Sequence, residues 1–325
     1  MKKSILLTLA SILFIYGPAN AQEGKPSVKI FSNFNYDMSA EEGKEAFSEF
    51  EVKRAYLGYS YNFNEKFSTK ITFDVGSNNG GSEYTAFLKI ASLNWQASEK
   101  LNISFGMIGA KNFKFMEKAW GRRFIEKSAQ DKYKWANSAD AGVNAEYKLS
   151  SKISLDAQLL NGEGYKNVQN DTIAKFRGGA GLTFKVMPQL TLRAYYDISP
   201  RAKYDTSSAS QNIITAAAVY SSKLITIGAE TNMMKNAGNM LNEEHELMSV
   251  YGSLKISRNY TLFGRYDDAT NTDKAETFMI YGIEREMVKG VTVALNMQST
   301  TAEPSTLDPN PEAENTLFLN FEYKF

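Results

Sequence analysis

Residues 316–325, which close the chain, read TLFLNFEYKF and alternate between two sets of side chains. One set is apolar or aromatic: Leu317, Leu319, Phe321, Tyr323 and Phe325. The other set is mostly polar: Thr316, Phe318, Asn320, Glu322 and Lys324. A period of two predicts a β-strand with one apolar face. Because the pattern recurs at residues 67–75, 153–159, 190–198 and 291–298, the chain is predicted to be all-β.

The connections between these segments fall into two length classes. Seven are very short, at residues 64–66, 98–100, 150–152, 187–189, 221–223, 258–259 and 288–290. Eight are long, near residues 38–49, 77–83, 111–137, 161–173, 199–211, 234–246, 268–275 and 300–315. Fifteen connections predict 16 strands, and short turns at one rim with long loops at the other are typical of a transmembrane antiparallel up-and-down barrel. The alternation is ambiguous at residues 84–97, 212–220 and 277–287, which leaves counts of 14 or 18 open.

The N-terminus has the three parts of a secretory signal peptide. Lys2 and Lys3 precede a short apolar run, and small residues at Ala19 and Ala21 fit signal peptidase. The run is too short for a spanning helix, which requires about 20 residues. We therefore expect residues 1–21 to be cleaved and residues 22–325 to form the barrel, with both ends of the mature chain periplasmic.

Phe325 ends a strand of alternating aromatic residues, as in the C-terminal signal of outer-membrane proteins. This predicts recognition of the last strand by the barrel-assembly machinery. Aromatic residues make up 13% of the chain and concentrate near the predicted strand ends, which is typical of the two girdles at membrane interfaces. Contact with outer-membrane lipid, in a Gram-negative cell, is therefore expected.

Composition narrows the possible functions. The chain has no Cys and one His, which argues against thiolate or histidine metal sites and most acid–base mechanisms. That residue, His245, lies in a charged loop run, and we expect neither a cofactor nor a catalytic site. Removal of Lys2 and Lys3 from the 37 basic residues leaves 35 against 36 acidic residues, so nucleic acid is not an expected partner. A barrel enzyme or a structural envelope protein stays as an alternative.

The longest connection, residues 111–137, differs in composition from the other loops. Its basic residues are Lys111, Lys114, Lys118, Arg122, Arg123, Lys127, Lys132 and Lys134, against three acidic residues. Six aromatic residues are interleaved with them, and exposing so much apolar surface to water is unfavourable. We predict that this third loop folds into the barrel and presents cations to the pore. Arg122 and Arg123, beside an expected turn at Gly121, are the strongest candidates for an anion-binding constriction.

The polar faces of the strands also carry cations that could line the pore: Arg54, Lys70, Arg177, Arg193 and Arg265. In the alternative interpretation these cations balance Asp74, Asp140, Asp197 and Asp267 on the same faces. The first interpretation favours transport of small anions, and the second gives the wall no net preference.

Several motifs carry a family resemblance. They are EKAWGRRFI at residues 117–125, DKY at 131–133, SADAG at 138–142, RAYLGY at 54–59 and NGEGY at 161–165. Together they resemble the phosphate-selective porin O/P family, in the form common in Bacteroidetes. The resemblance implies a 16-stranded homotrimeric porin with an inward-folded third loop, passing small anionic or polar solutes that include phosphate. No phosphate ligand is assigned from it, and a channel for sugars or other organic solutes stays as an alternative.

Overall fold

Sixteen strands form one closed antiparallel barrel in the computed structural model of the protein. The structure describes residues 24–40, 43–77, 83–168, 176–200, 207–271, 275–304 and 311–325, so the predicted signal peptide lies outside the described residues. Each strand pairs with its neighbours in sequence, and β1 pairs with β16. The predicted strand count of 16 and the up-and-down topology are confirmed.

The strands have the following bounds: β1 Lys25–Asp37, β2 Ser48–Asn62, β3 Phe67–Ser77, β4 Tyr84–Gln96, β5 Leu101–Gly109, β6 Ala139–Lys148, β7 Ile153–Leu160, β8 Arg177–Met187, β9 Leu190–Ser199, β10 Gln211–Ser221, β11 Ile225–Lys235, β12 Glu244–Lys255, β13 Tyr260–Thr270, β14 Ala275–Val288, β15 Val291–Ala302 and β16 Glu314–Lys324.

The two faces of each strand differ as the sequence alternation predicts. On β9, Leu192 and Tyr196 are exposed on the outer surface, whereas Arg193, Tyr195 and Asp197 are buried inside. Lipid offers no hydrogen-bond partners to backbone N–H and C=O groups. Because β1 pairs with β16, the sheet has no open edge, and its outer surface is compatible with a membrane. The outward apolar face is therefore a lipid-facing band.

Serine residues shape three of the short turns. The hydroxyls of Ser98, Ser150 and Ser222 each accept hydrogen bonds from the backbone N–H groups two and three residues later. These local bonds satisfy donors that a two- or three-residue turn would otherwise leave open. All seven predicted short connections lie between consecutive strands at one end of the barrel, called here the short-turn end.

Two helices interrupt the third loop, α1 (Lys111–Trp120) and α2 (Ala129–Lys132). Gly121 ends α1 in the left-handed conformation, with φ of 69°, at the predicted turn. No helix among the described residues is long and apolar enough to span a membrane.

The third loop packs against inward-facing side chains on many strands. Trp120 of α1 contacts the rings of Tyr251 on β12 and Phe263 on β13, at 5.7 and 6.3 Å between centroids. The loop residue Phe124 contacts Phe31 on β1, and its carbonyl accepts a hydrogen bond from Asn320 on β16. Only a segment inside a closed barrel can reach buried side chains on all these strands, so the loop occupies the lumen.

Candidate pore constriction and basic cavity

Helix α1 separates its side chains into two faces. Phe113, Met116 and Trp120 are buried, and Met116 and Trp120 belong to the apolar cluster on the barrel wall. Lys114 and Lys118 lie one helical turn apart on the exposed face. The helix can therefore dock on the wall and still hold two ammonium groups towards the lumen.

These two lysines line a cavity of about 1020 Å³ together with Lys70 of β3. Burial, followed by repulsion from Lys70 and Lys118, lowers the pKa of Lys114 below its ordinary value. None of the three has an ion pair among the residues that the structure describes. Lys70, Lys114 and Lys118, called here the lysine face, thus present uncompensated positive charge.

The carboxylates around this cavity are already paired. Glu117 lies 3.5 Å from Nη1 of Arg123, and Asp156 lies 2.7 Å from Nη1 of Arg193. The third, Glu146, contacts the ammonium group of Lys111. Because each carboxylate that lines the cavity has its own cation, the potential in the cavity is set by the unpaired lysines.

A second cationic group joins the tip of the loop to the opposite wall. Arg54, Lys89 and Arg123 point donors at the hydroxyl oxygen of Tyr56 on β2, at 3.2, 3.5 and 3.1 Å. Asp131 pairs with Arg123 at 2.5 Å. The loop therefore crosses the lumen from α1 on one wall to β2 on the other, and Tyr56 with its three cations, the Tyr56 cluster, lies in the crossing.

The structure corrects the expectation for Arg122 and Arg123. Arg122 makes a two-pronged contact with Glu284 on β14, at 3.0 and 2.7 Å. Arg123 is held by Asp131, Glu117 and Tyr56. Their positive charges are therefore neutralised by carboxylates, and both side chains fix the loop instead of offering free charge to a solute.

The other basic residues of the loop have different surroundings. Lys111 is buried against Glu146, and Lys132 lies 3.4 Å from Glu276 and over the ring of Phe278. Lys134 is exposed, with a positive φ of 58°. Lys127 has no ion pair among the described residues, and burial keeps its pKa below the ordinary value. Of the eight candidates, Lys111, Lys114 and Lys118 line the cavity, and only Lys114 and Lys118 of these three have no ion pair to a described residue.

All five wall candidates face inward, but four of them are paired. The ion pairs are Arg54–Asp74 (3.2 Å), Arg177–Asp197 (2.6 Å), Arg193–Asp156 (2.7 Å) and Arg265–Asp267 (2.5 Å). The balancing interpretation is therefore correct for Asp74, Asp197 and Asp267. Asp140 instead accepts hydrogen bonds from the backbone of Ala141 and Gly162. Lys70 is the wall candidate without an ion pair to any described residue.

Two important residues were missed by the sequence interpretation. Lys89 lies at a β-bulge where β4 shifts register against β3, so a strict period of two does not place it. Tyr165, in the NGEGY motif, donates a hydrogen bond of 2.6 Å to Asp74 from the loop after β7. The ammonium of Lys89 lies about 5 Å from the ring centres of both Tyr56 and Tyr165. The motif was the available signal for Tyr165, and no sequence signal marks Lys89.

The sequence profile described as phosphate-selective porin O and P matches residues 28–277. The chain belongs to this porin family. With the closed barrel, this makes it an outer-membrane porin of the Gram-negative type. No curated protein matches the chain.

Solved structures with the same fold include the outer-membrane channel DcaP of Acinetobacter baumannii, at 12% identity and a TM-score of 0.71, covering 95% of this chain and 99% of that one. The anion-selective porin of Comamonas acidovorans has 10% identity and a TM-score of 0.70, covering 93% and 99%. The trimer form of OmpT from Vibrio cholerae has 11% identity and a TM-score of 0.65, covering 93% and 99%. At these identities the likeness concerns the barrel fold.

Proposed function

We propose that this porin is a passive diffusion channel for small hydrophilic solutes and that it prefers anions, inorganic phosphate among them. The observation that carries the proposal is the lysine face in a cavity where every lining carboxylate is already paired. A solute anion in the cavity meets positive charge that no carboxylate among the described residues compensates. A cation meets repulsion at the same place.

The expected preference is moderate. Attraction between unit charges about 4 Å apart is about 1 kcal/mol in water and about 4 kcal/mol near a protein surface. The cavity of about 1020 Å³ is large enough to hold many water molecules, so the value for water is the better guide. At 1 M salt the Debye length falls to about 3 Å, and the preference should then fade.

Planar-bilayer recording tests this proposal. In asymmetric KCl we expect the reversal potential of the parent channel to lie closer to the equilibrium potential of chloride than to that of potassium. Lys114→Glu/Lys118→Glu should shift it towards potassium without abolishing conductance, because the changed side chains lie on the exposed face of α1. A matched control, Lys223→Glu/Lys289→Glu, makes the same charge change at exposed short-turn positions outside the cavity and should keep most of the anion preference.

A parent channel that discriminates between potassium and chloride no better than bulk water would overturn the proposal. Equal reversal potentials for the parent and the Lys114/Lys118 variant would place the permeation path elsewhere. Sugar permeability that exceeds salt permeability after correction for size would favour the channel for organic solutes.

The assembly of the porin is also part of the proposal. We propose a homotrimer in the outer-membrane lipid, supported by the fold shared with a porin solved in its trimer form. We further propose that the signal peptide directs export and is cleaved after Ala21. The strand that ends at Phe325 then guides insertion of the barrel into the outer membrane. Transport by diffusion requires no chemical step, and we propose that the chain catalyses none.

A further inference from the structure

The first part of the loop after β7 is held against the start of β6. Residues 161–167, called here the strap, read NGEGYKN. The backbone N–H of Gly162 donates to Oδ2 of Asp140 at 2.6 Å, and that of Tyr165 donates to the carbonyl of Ala139 at 3.0 Å. These bonds fix the strap at the point where the third loop also returns to the barrel wall.

Two glycines give the strap its shape. Gly162 and Gly164 have φ of 111° and 81°, which a residue with a side chain rarely adopts. A Cβ atom on Gly164 would lie 2.2 Å from Cγ of Asn137, the last residue of the third loop. The side-chain amide of Asn137 also donates to the carbonyl of Gly162 at 3.4 Å. The NGEGY motif therefore forms a tight turn that packs on the base of the third loop.

The side chain of Tyr165 extends from the strap over the inner face of the barrel. Its hydroxyl donates to Oδ2 of Asp74 on β3 at 2.6 Å, and its ring centre lies 6.3 Å from that of Phe87 on β4. The backbone of Tyr165 is bonded to β6, three strands from β3, and three strand spacings amount to about 14 Å along the wall. The ring therefore lies inside the barrel, with its backbone and its hydroxyl each held by a bond.

The strap lies at one end of the basic cavity. Lys89 and Ser138 line this cavity, and the ammonium of Lys89 lies 5.0 Å from the ring centre of Tyr165. The same ammonium lies 5.1 Å from the ring centre of Tyr56, whose hydroxyl accepts a hydrogen bond from Arg123 of the third loop. The strap and the third loop thus separate at β6 and meet again at the Tyr56 cluster.

We infer that the strap is a second constriction of the pore and that the ring of Tyr165 sets the width of the passage beside Lys89. The inference rests on the proposed diffusion channel, because it requires solutes to pass through the lumen. The third loop docks on the wall from β10 to β15, and the strap covers the wall from β3 to β6. The ring carries no charge, so it selects solutes by size, whereas the lysine face selects them by the sign of their charge.

Single-channel recording with neutral polyethylene glycols of increasing size tests this inference, because polymers that enter a pore lower its conductance. Tyr165→Ala removes the ring and frees a layer about 4 Å thick, the contact distance between carbon atoms. We expect a higher conductance and a polymer cut-off shifted to diameters larger by up to about 4 Å. Tyr165→Phe keeps the ring, and the bond to Ala139 still holds the backbone, so this variant should keep most of the narrowing.

Tyr84→Ala is the matched control for loss of a ring. Tyr84 is 62% exposed on the outer face of β4 at its long-loop end, so the conductance and the cut-off should both stay at the parent values.

Restoring the ring chemically gives a second measurement that does not depend on how well Tyr165→Ala folds. The chain has no Cys, so in Tyr165→Cys a benzyl methanethiosulfonate reagent can attach an aromatic ring only at that residue. We expect the conductance of Tyr165→Cys to exceed that of the parent. The reagent, added to channels already in the bilayer, should return the conductance towards the parent value.

Unchanged conductance and cut-off in Tyr165→Ala, or a reagent that leaves the conductance of Tyr165→Cys unchanged, would overturn the inference. Equal widening in Tyr165→Phe and Tyr165→Ala would do so too, because the ring would then not be the narrowing group. These outcomes leave the chloride preference of the parent in KCl intact. They therefore differ from failure of the proposed function, which is a parent channel without that preference.

Discussion

Buried arginines hold the third loop at its start and near its middle. Arg193 binds Asp156 and also donates to the carbonyl of Lys111 at 3.2 Å. Arg265 binds Asp267 and donates to the carbonyl of Lys127. A guanidinium has five donors, so one side chain can satisfy a carboxylate and a loop carbonyl together. Residues that the sequence offers as pore charges thus act as clamps between wall and loop.

Asp267→Asn tests this clamp at the residue scale. The carboxylate is fully buried and accepts hydrogen bonds from Arg265 and Ser249, so its loss leaves Arg265 without its ion-pair partner. Removing one partner of a buried pair typically costs about 3–5 kcal/mol. We expect a fall of that order in the free energy of unfolding, measured by urea titration of the refolded barrel. Asp268→Asn, on the neighbouring half-buried residue, is the control and should change stability little.

Phe325→Ser tests the assembly role of the last residue. The ring is 83% exposed, while the Phe325 backbone N–H pairs with the carbonyl of Val28. The fold therefore needs the Phe325 backbone but not its ring. We expect less protein in the outer membrane with export unchanged, measured by membrane fractionation. Phe176→Ser, another exposed ring, is the control, and equal membrane levels for parent and Phe325→Ser would contradict the prediction.

Helix α1 makes selectivity sensitive to pH at the element scale. Burial and the neighbouring Lys70 and Lys118 lower the pKa of Lys114, so its charge is present at low pH and is lost earlier than usual as pH rises. An unperturbed lysine loses its charge near pH 10.4, about the model-peptide value. We therefore expect the chloride preference to begin to decline at a lower pH than the one at which an ordinary lysine loses its charge.

Lys114→Arg is the control for this titration. An arginine stays protonated throughout the range, so the variant should hold its reversal potential more nearly constant across the pH series. A decline of the same size in Lys114→Arg would show that a different group titrates.

The whole molecule divides the inside of its barrel into two unlike halves. The wall from β10 to β15, together with Phe31 of β1, carries an apolar cluster that receives α1 and Phe124. The wall from β3 to β9 carries Lys70 and most of the polar cavity lining, and Lys114 and Lys118 of α1 line the same cavity. The loop thus docks its apolar side chains on one wall, and the cavity between its lysines and the other wall stays open to solutes.

A closed barrel with a lipid-facing surface makes a prediction for the whole molecule. Because every strand is paired on both edges, we expect heat-modifiable gel migration and a β-rich circular dichroism spectrum in detergent. The mass of the detergent complex should correspond to a trimer. A monomer that stays soluble in buffer without detergent would contradict the prediction.

The sequence by itself determined most of the strands and the two kinds of connection, and it favoured 16 strands while leaving 14 or 18 open. Period-two alternation is a local property, since the outer face of every strand meets lipid wherever it lies. Of the three ambiguous stretches, β4 contains the β-bulge at Lys89, whereas β10 and β14 have a tertiary cause. Ile213 and Phe278 are buried inside beneath the third loop, while Ile214 and Met279 are exposed outside, so both faces are apolar and the alternation disappears.

Only the tertiary structure decided which charges are free. Arg122 meets Glu284 across 162 positions of sequence, and Arg54 meets Asp74 on the adjoining strand, whereas Lys114 meets other lysines. Local sequence cannot distinguish these cases, because every one of these residues is a cation in a polar setting. A charge is neutralised when the fold brings an opposite charge within about 4 Å of it, and it stays free when the fold does not. Barrel closure and the docking of the third loop set these distances.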